Sequence, residues 1–215
     1  MPRKVLLAGA TGLVGGEILR GLADDDDVSE VRVLVRRPLD RALVAPKVRE
    51  LVADFDTLDA HPEWFRVDQL MCALGTTIRQ AGSEAAFRRV DVDYPLALAR
   101  LARAQAARHV LLVSVVGADA RSRVFYNRVK GELENAVRAL GYAALTIARP
   151  SFLLGPRKEL RAGELVMKRI AYFFPAALKP VRAQQVASAL VRAAREENPG
   201  VRILDNVALR RETGR

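Results

Sequence analysis

The stretch "FYNRVKGEL", residues 125–133, places Tyr126 four positions before Lys130 in a segment that reads as the opening of a helix. On a helix, positions i and i+4 share a face, so a phenol and an ammonium would project together. A tyrosine hydroxyl ionises near pH 10 and by itself exchanges protons poorly at neutral pH. A cation beside it favours the phenolate, so the pair could pass a proton to or from a bound molecule. With 4 Tyr and 6 Lys in 215 residues, chance alone gives this spacing about one time in nine, so the pair is a weak motif until its setting is known.

That setting is an alternation of short apolar runs with longer amphipathic ones. "KVLLAGA" (4–10), "VRVLVR" (31–36), "VRELVAD" (48–54), "DQLMCALG" (68–75), "HVLLVSVVG" (109–117), "AALTIARP" (143–150) and "VRILDN" (201–206) read as strands. Helices are expected over 14–23, over 83–106 as one or two with Pro95 opening the second, and over 126–140, 162–174 and 182–196. Strands this apolar, without polar alternation, belong to a sheet covered on both faces. Strand–helix alternation then implies parallel βαβ units. The expectation is one doubly wound α/β domain over residues 1–215.

Directly after the first strand, "AGATGLVGGEIL" sets Gly9, Gly12 and Gly15 at the opening of the first helix. Small residues there let the chain turn tightly and let backbone approach a pyrophosphate, which the free N–H groups of a helix N-terminus attract. The spacing is G-x-x-G-x-x-G rather than the commoner G-x-G-x-x-G, and a glycine turn without a ligand is the bland alternative. The second strand ends in Arg36-Arg37, where an NAD site usually carries an acid. Guanidinium groups could instead fork onto a 2′-phosphate, which favours NADP(H) over NAD(H); a surface pair in an Arg-rich chain is the competing account.

Composition limits the other classes. The net charge is +10, but 29 of the 35 basic residues are Arg, scattered along helices without interleaved aromatics. No nucleic-acid partner is expected from such a distribution. A single cysteine, Cys72, forbids an internal disulfide and suggests a reducing, cytoplasmic home. No signal peptide or membrane-length apolar run is visible. His61 and His109 lack a ligand pattern, so no metal is expected. Trp64 reads as a packing residue, "DDDDVSE" (24–30) as a solvated turn, and "AYFFPAAL" (171–178) as a core helix end or a substrate-pocket wall.

Taken together, "GATGLVGGEILRGL", "LVRRP", "CALGTTIRQAGSEAAFRRVDVDY", "HVLLVSVVGADARSRVFYNRVKGELE" and "ARPSFLLGPR" resemble the short-chain dehydrogenase/reductase superfamily, with its NAD(P)-binding Rossmann fold. The similarity is strongest to its atypical, extended-type members, the family of the human Tat-interacting tumour-suppressor oxidoreductase and small bacterial relatives. The resemblance implies that Gly9, Thr11, Gly12, Leu13, Val14 and Gly15 form the pyrophosphate loop, with Arg36 and Arg37 beside the adenosine 2′-phosphate. Asp54 would lie near the adenine amine, although a turn or cap role is equally open. Leu74, Gly75, Thr76 and Thr77 would line the cofactor, and the backbone of Pro150, Ser151 and Phe152 would reach the nicotinamide amide.

For the chemistry, the resemblance implies a catalytic Ser114, Tyr126 and Lys130, with Lys130 also bonding the nicotinamide ribose and Ser114 holding the substrate oxygen. The chain departs from the family pattern in carrying Val115 where a second Ser is common, and Asp91 and Asp93 stand near the place of the usual helix Asn. The expected activity is hydride transfer between NADP(H) and a small carbonyl or alcohol, with a small C-terminal substrate region within about 151–215. A cofactor-sensing regulatory protein is the alternative. Sugar-nucleotide epimerisation is a weaker one, because little chain follows Pro150. Oligomeric state is not legible, with a homodimer left open.

Overall fold

In the computed structural model the described residues are 2–40, 45–154 and 175–213. Seven strands form one parallel sheet: β1 (Arg3–Ala8), β2 (Val28–Val35), β3 (Val48–Val52), β4 (Gln69–Cys72), β5 (His109–Val113), β6 (Ala144–Ala148) and β9 (Gly200–Leu204), in the order β3-β2-β1-β4-β5-β6-β9. Two short strands between them, β7 (Leu153–Leu154) and β8 (Val181–Arg182), pair with each other. β1 is an interior strand, third in this order, hydrogen-bonded in parallel to β2 on one side and to β4 on the other.

Successive side chains of a strand point to opposite faces, and β1 divides accordingly between two buried layers. Val5 and Leu7 pack with α1 (Leu13–Ala23) and with the helix over Ala183–Glu196, through Ile18, Leu22, Val186 and Leu190. Leu6 and Ala8 pack on the other face with Phe87, Leu98, Val129 and Leu133. Those four come from α3 (Glu84–Arg88), α4 (Tyr94–Ala104) and α5 (Phe125–Arg138). The sheet is thus covered on both faces, and the doubly wound α/β expectation holds.

Differences from the sequence reading are local and have local causes. α2 (Ile78–Ala81) forms because the Thr77 hydroxyl accepts the Gln80 N–H at 3.2 Å. The stretch expected as one or two helices over 83–106 is α3 and α4 joined by a π-helical turn, Arg89–Asp93. In chain order the helix over Ala183–Glu196 is α6, and α7 (Asn206–Arg210) follows β9. The last strand stops at Leu204 because the Asp205 side chain caps α7 at Ala208 N–H. The helix expected over 162–174, and residues 171–174 of the aromatic segment, lie outside the described residues.

Candidate active site

Strand order reverses between β1 and β4, and in open α/β sheets ligands bind at such a switch point, beyond the C-terminal ends of the strands. The glycine turn occupies that place. Gly9 has φ +93°, and a Cβ on it would lie 2.5 Å from the carbonyl carbon of Ala73 at the end of β4. A Cβ on Gly15 would stand 2.0 Å from the Gly9 oxygen. Larger residues at either position would push α1 and β4 away from the turn. Gly12 is the N-cap of α1 and supplies no side-chain cap, so the first N–H groups of the helix point outward unclaimed by one. A cradle that only glycine fits, ending in uncapped helix N–H groups, suits a pyrophosphate. Thr11 is exposed at its rim, Leu13 is half-buried, and Val14 is buried in the core, where it offers only its backbone.

Arg36 and Arg37 follow β2 directly, both exposed, and neither makes an ion pair among the described residues. Asp54, also exposed, uses one carboxylate oxygen to accept the Asp56 N–H at 3.0 Å inside its own turn, the competing role that the sequence left open. After β4, Leu74 is half-buried and Gly75 exposed. Thr76 donates its N–H to Asp91 Oδ2 at 2.8 Å, and Thr77 caps α2. After β6, the Ser151 N–H is committed to Asn206 Oδ1 at 2.9 Å and its hydroxyl to the Lys179 carbonyl at 2.6 Å. The Phe152 carbonyl accepts from Val181 N–H at 3.0 Å, and the Pro150 carbonyl from Val116 N–H at 2.9 Å. Much of this segment's backbone therefore holds the segment itself in place.

Lys130 is buried on α5, and its Nζ lies 2.6 Å from Asp91 Oδ1. Burial alone would push the ammonium below its ordinary range, but the Asp91 carboxylate and the nearby Tyr126 outweigh it and hold Lys130 above that range. Tyr126, one turn earlier and half-buried, has its phenol raised above 10 by burial, with Lys130 pulling down and Asp91 pushing up. Its ring lies 5.6 Å from that of Phe87, and its hydroxyl has no hydrogen-bond partner among the described residues. Of the two acids in "VDVDY", Asp93 faces solvent, whereas the π turn sends Asp91 inward. π-helical turns of this kind recur at functional sites.

The Ser114 hydroxyl is engaged by a different side chain. It donates to Glu134 Oε1 at 2.5 Å, and Glu134 in turn accepts from Arg149 Nε at 3.0 Å and Nη2 at 2.5 Å. Tyr126, Lys130 and Glu134 recur every fourth residue on one face of α5, so the backbone of Glu134, the acid that Ser114 bonds, is two turns, roughly 12 Å of helix rise, along from that of Tyr126. Strand β5 also ends at Val113 rather than at 117, which carries Ser114 into the Glu134 network while its N–H still bonds the Ala148 carbonyl. Val115, next along, has no hydroxyl to offer in its place. The sequence reading missed Glu134 and Arg149, although an acid recurring on the Tyr126–Lys130 stripe was the available signal.

The remaining candidates are structural. Cys72 is buried in β4, and burial pushes its thiol up to about 11. Trp64 stacks on His61 at 3.8 Å between ring centroids. Among the described residues, no group of three or more His, Cys, Asp or Glu is placed to hold a metal ion, and no helix is long and apolar enough to cross a membrane.

No family model matches the chain. Among curated proteins it is 37% identical over 169 residues to protein HTATIP2 of Rattus norvegicus, covering 78% of this chain and 69% of that one. It is 34% identical over 187 residues to the mitochondrial protein fmp52 of Emericella nidulans, covering 82% and 76%. Among solved structures it resembles the UDP-glucose 4-epimerase of Thermotoga maritima with UDP-glucose (TM-score 0.72, 14% identity, 93% of this chain and 75% of that one). It likewise resembles the Bordetella bronchiseptica enzyme WbmG in complex with NAD (TM-score 0.70, 12% identity, 95% and 73%). The FMP52 relatives are named as mitochondrial, which overturns the cytoplasmic expectation. That expectation rested on Cys72, and a thiol buried in the sheet reports nothing about the compartment around it.

Proposed function

The chain belongs to the family of HTATIP2 and FMP52, an atypical branch of the short-chain dehydrogenase/reductase superfamily, and from that premise we propose that it is an NADP(H)-dependent oxidoreductase acting on a small carbonyl or alcohol. The observation that carries this reading is the Tyr126–Lys130 pair, one helical turn apart, with the lysine charge buried and held by Asp91 at the strand ends that bear the glycine cradle. The glycine turn and the α1 N-terminus would hold the pyrophosphate, Arg36 and Arg37 the 2′-phosphate, and Gly75–Thr77 the nicotinamide half. The WbmG complex with NAD, on the same fold, supports a nicotinamide dinucleotide as the ligand. Once bound, that cofactor supplies or takes up the hydride.

Tyr126 Oη would give its proton to the oxygen of the carbonyl being reduced, or take one in the opposite direction. Lys130 Nζ would bond the nicotinamide ribose hydroxyls and stabilise the phenolate. The substrate side is assigned to elements within about 151–215. Titration with NADPH against NADH, followed by NADPH oxidation over a panel of carbonyl compounds, tests the proposal. Tighter NADPH binding with turnover supports it, and failure to bind either nucleotide overturns it.

One observation favours a second reading, a dinucleotide-binding regulatory protein with little catalysis. The Ser114 hydroxyl, which would hold the substrate oxygen, is committed to Glu134. NADPH binding without turnover on any carbonyl would select that reading.

A further inference from the structure

We propose that Arg89 is a positioning residue for the adenine end of the dinucleotide, acting through Asp56 to fix the turn after β3 on which the base rests. This deepens the oxidoreductase reading and rests on its assignment of a bound nicotinamide dinucleotide. Directly after β3, the Ala53 N–H bonds the Val35 carbonyl at 2.9 Å. The turn that begins at Asp54 therefore starts beside Arg36 and Arg37, which follow Val35. In NADP(H) the 2′-phosphate and the base are borne by adjacent carbons of one ribose, so a phosphate held by the Arg pair brings the base to this turn. Asp54 is exposed there. One of its carboxylate oxygens accepts the Asp56 N–H at 3.0 Å, and the other accepts no hydrogen bond among the described residues. An oxygen so placed can accept from the exocyclic amine, the only N–H donor that the adenine of a nucleotide carries.

Two residues distant in the chain grip this turn. Arg89, which opens the π turn, forks onto Asp56: its Nε lies 3.2 Å from Oδ1, and its Nη2 bonds Oδ2. Tyr94, which opens α4, donates its hydroxyl to Asp56 Oδ1 at 3.0 Å. The Tyr94 ring also lies 5.3 Å from that of the buried Phe55, and the Arg89 guanidinium lies 5.7 Å from the Tyr94 ring centroid. Phe55 and Asp56 are thus both tied to the helical segment, and Asp54 precedes them directly. A two-point guanidinium–carboxylate fork fixes direction as well as distance. The side chains of the pair are 55% and 43% exposed, and exposed pairs add little to folding, so what the fork supplies is the placement of the turn. Residues two apart on a helix face different sides, and Asp91 of the same π turn holds Lys130 at 2.6 Å and the Thr76 N–H at 2.8 Å. One five-residue turn therefore touches both the segment after β3 and the segment after β4.

The test is calorimetric titration of the full-length chain with NADPH, NADH and 2′,5′-ADP, beside Arg89→Met, Asp56→Asn and the double variant. Arg89→Met keeps most of the stem and removes every donor. It is expected to weaken all three ligands by a common factor of about three to ten, the worth of one misplaced hydrogen bond. Its Tm should fall by less than about 4 °C. Asp56→Asn should do the same, and the double variant should lose no more than either alone, because the two side chains act as one unit. A merely structural pair would leave the affinities where they were. Unchanged affinities or additive losses overturn the proposal. So does a loss confined to NADPH and 2′,5′-ADP, which would make Arg89 a phosphate ligand. Arg89→Lys keeps the charge but not the fork; it should show a smaller common loss, and it decides the matter if Arg89→Met does not fold. The readout needs no turnover. An unsubstituted chain that binds none of the three overturns the oxidoreductase reading itself, whereas binding that is indifferent to Arg89 overturns only this proposal.

Discussion

Tyr126 has a phenol with no hydrogen-bond partner among the described residues, and a lysine and a carboxylate lie behind it. Replacing it with Phe removes one oxygen and leaves the Lys130–Asp91 pair in place. Tyr126→Phe is therefore expected to lower NADPH-dependent carbonyl turnover by about 10²-fold or more, the usual worth of a positioned proton donor. NADPH affinity, measured by fluorescence titration, should stay nearly unchanged. Arg36 and Arg37 stand at the other end of the proposed cofactor track. Each charge-assisted bond to a phosphate is worth about 1.5–3 kcal/mol. Replacing both with Ala should weaken NADPH binding by about tenfold or more and leave NADH binding as it was; parallel titrations of the two nucleotides check this.

At the scale of elements, two packing contacts set the site. The first is the β1–α1 turn, where Gly15 sits against Gly9. Gly15→Ala must shift α1, at about 1–3 kcal/mol. The expected result is a lower Tm and NADPH binding weakened by about tenfold, read from thermal melts with and without nucleotide. The second is the α5–β5–β6 junction, where Ser114 and Arg149 converge on the buried Glu134. If Ser114 serves this junction, Ser114→Ala should cost about 1–3 kcal/mol in urea unfolding, since it leaves Glu134 short of a donor, while turnover changes little. A large loss of turnover with full stability would return Ser114 to the chemistry.

Across the whole molecule, the two ends of the sheet differ in character. The C-terminal edge carries the glycine cradle and the Lys130 pair, while the N-terminal edge buries polar side chains. There Arg3 bonds Asp25 at 2.9 Å, Gln69 bonds the Ala194 carbonyl at 2.8 Å, and His109 lies 2.9 Å from the Thr146 hydroxyl. Burial, with Arg3 nearby, lowers His109 to about 4. The imidazole of the unfolded chain ionises near 6.5, so above that pH neither state is charged and His109 contributes no pH dependence. Between 6.5 and 4 only the unfolded chain takes up the proton, and stability falls with pH by about 3 kcal/mol in all. For Asp25, burial is outweighed by Arg195 and Arg3, so its carboxyl lies below its ordinary value and its loss comes at lower pH. Urea unfolding across this range should show the decline between pH 6.5 and 4, and His109→Gln should flatten it.

The sequence by itself determined the alternation of strands and helices, the glycine turn after β1, the Arg pair after β2 and the Tyr126–Lys130 spacing, because each is written in neighbouring residues. Periodicity and small-residue placement act over one turn or one strand, and they survive in the fold almost unchanged. Tertiary structure alone decided which acid meets Lys130. Asp91 and Asp93 are two residues apart, and the π turn between α3 and α4 buries one and exposes the other. It also decided that Ser114 serves Glu134, since the two meet only when α5 is laid across the end of β5. Such choices depend on the register of one packed element against another, a distance between residues far apart in the chain that no local pattern encodes.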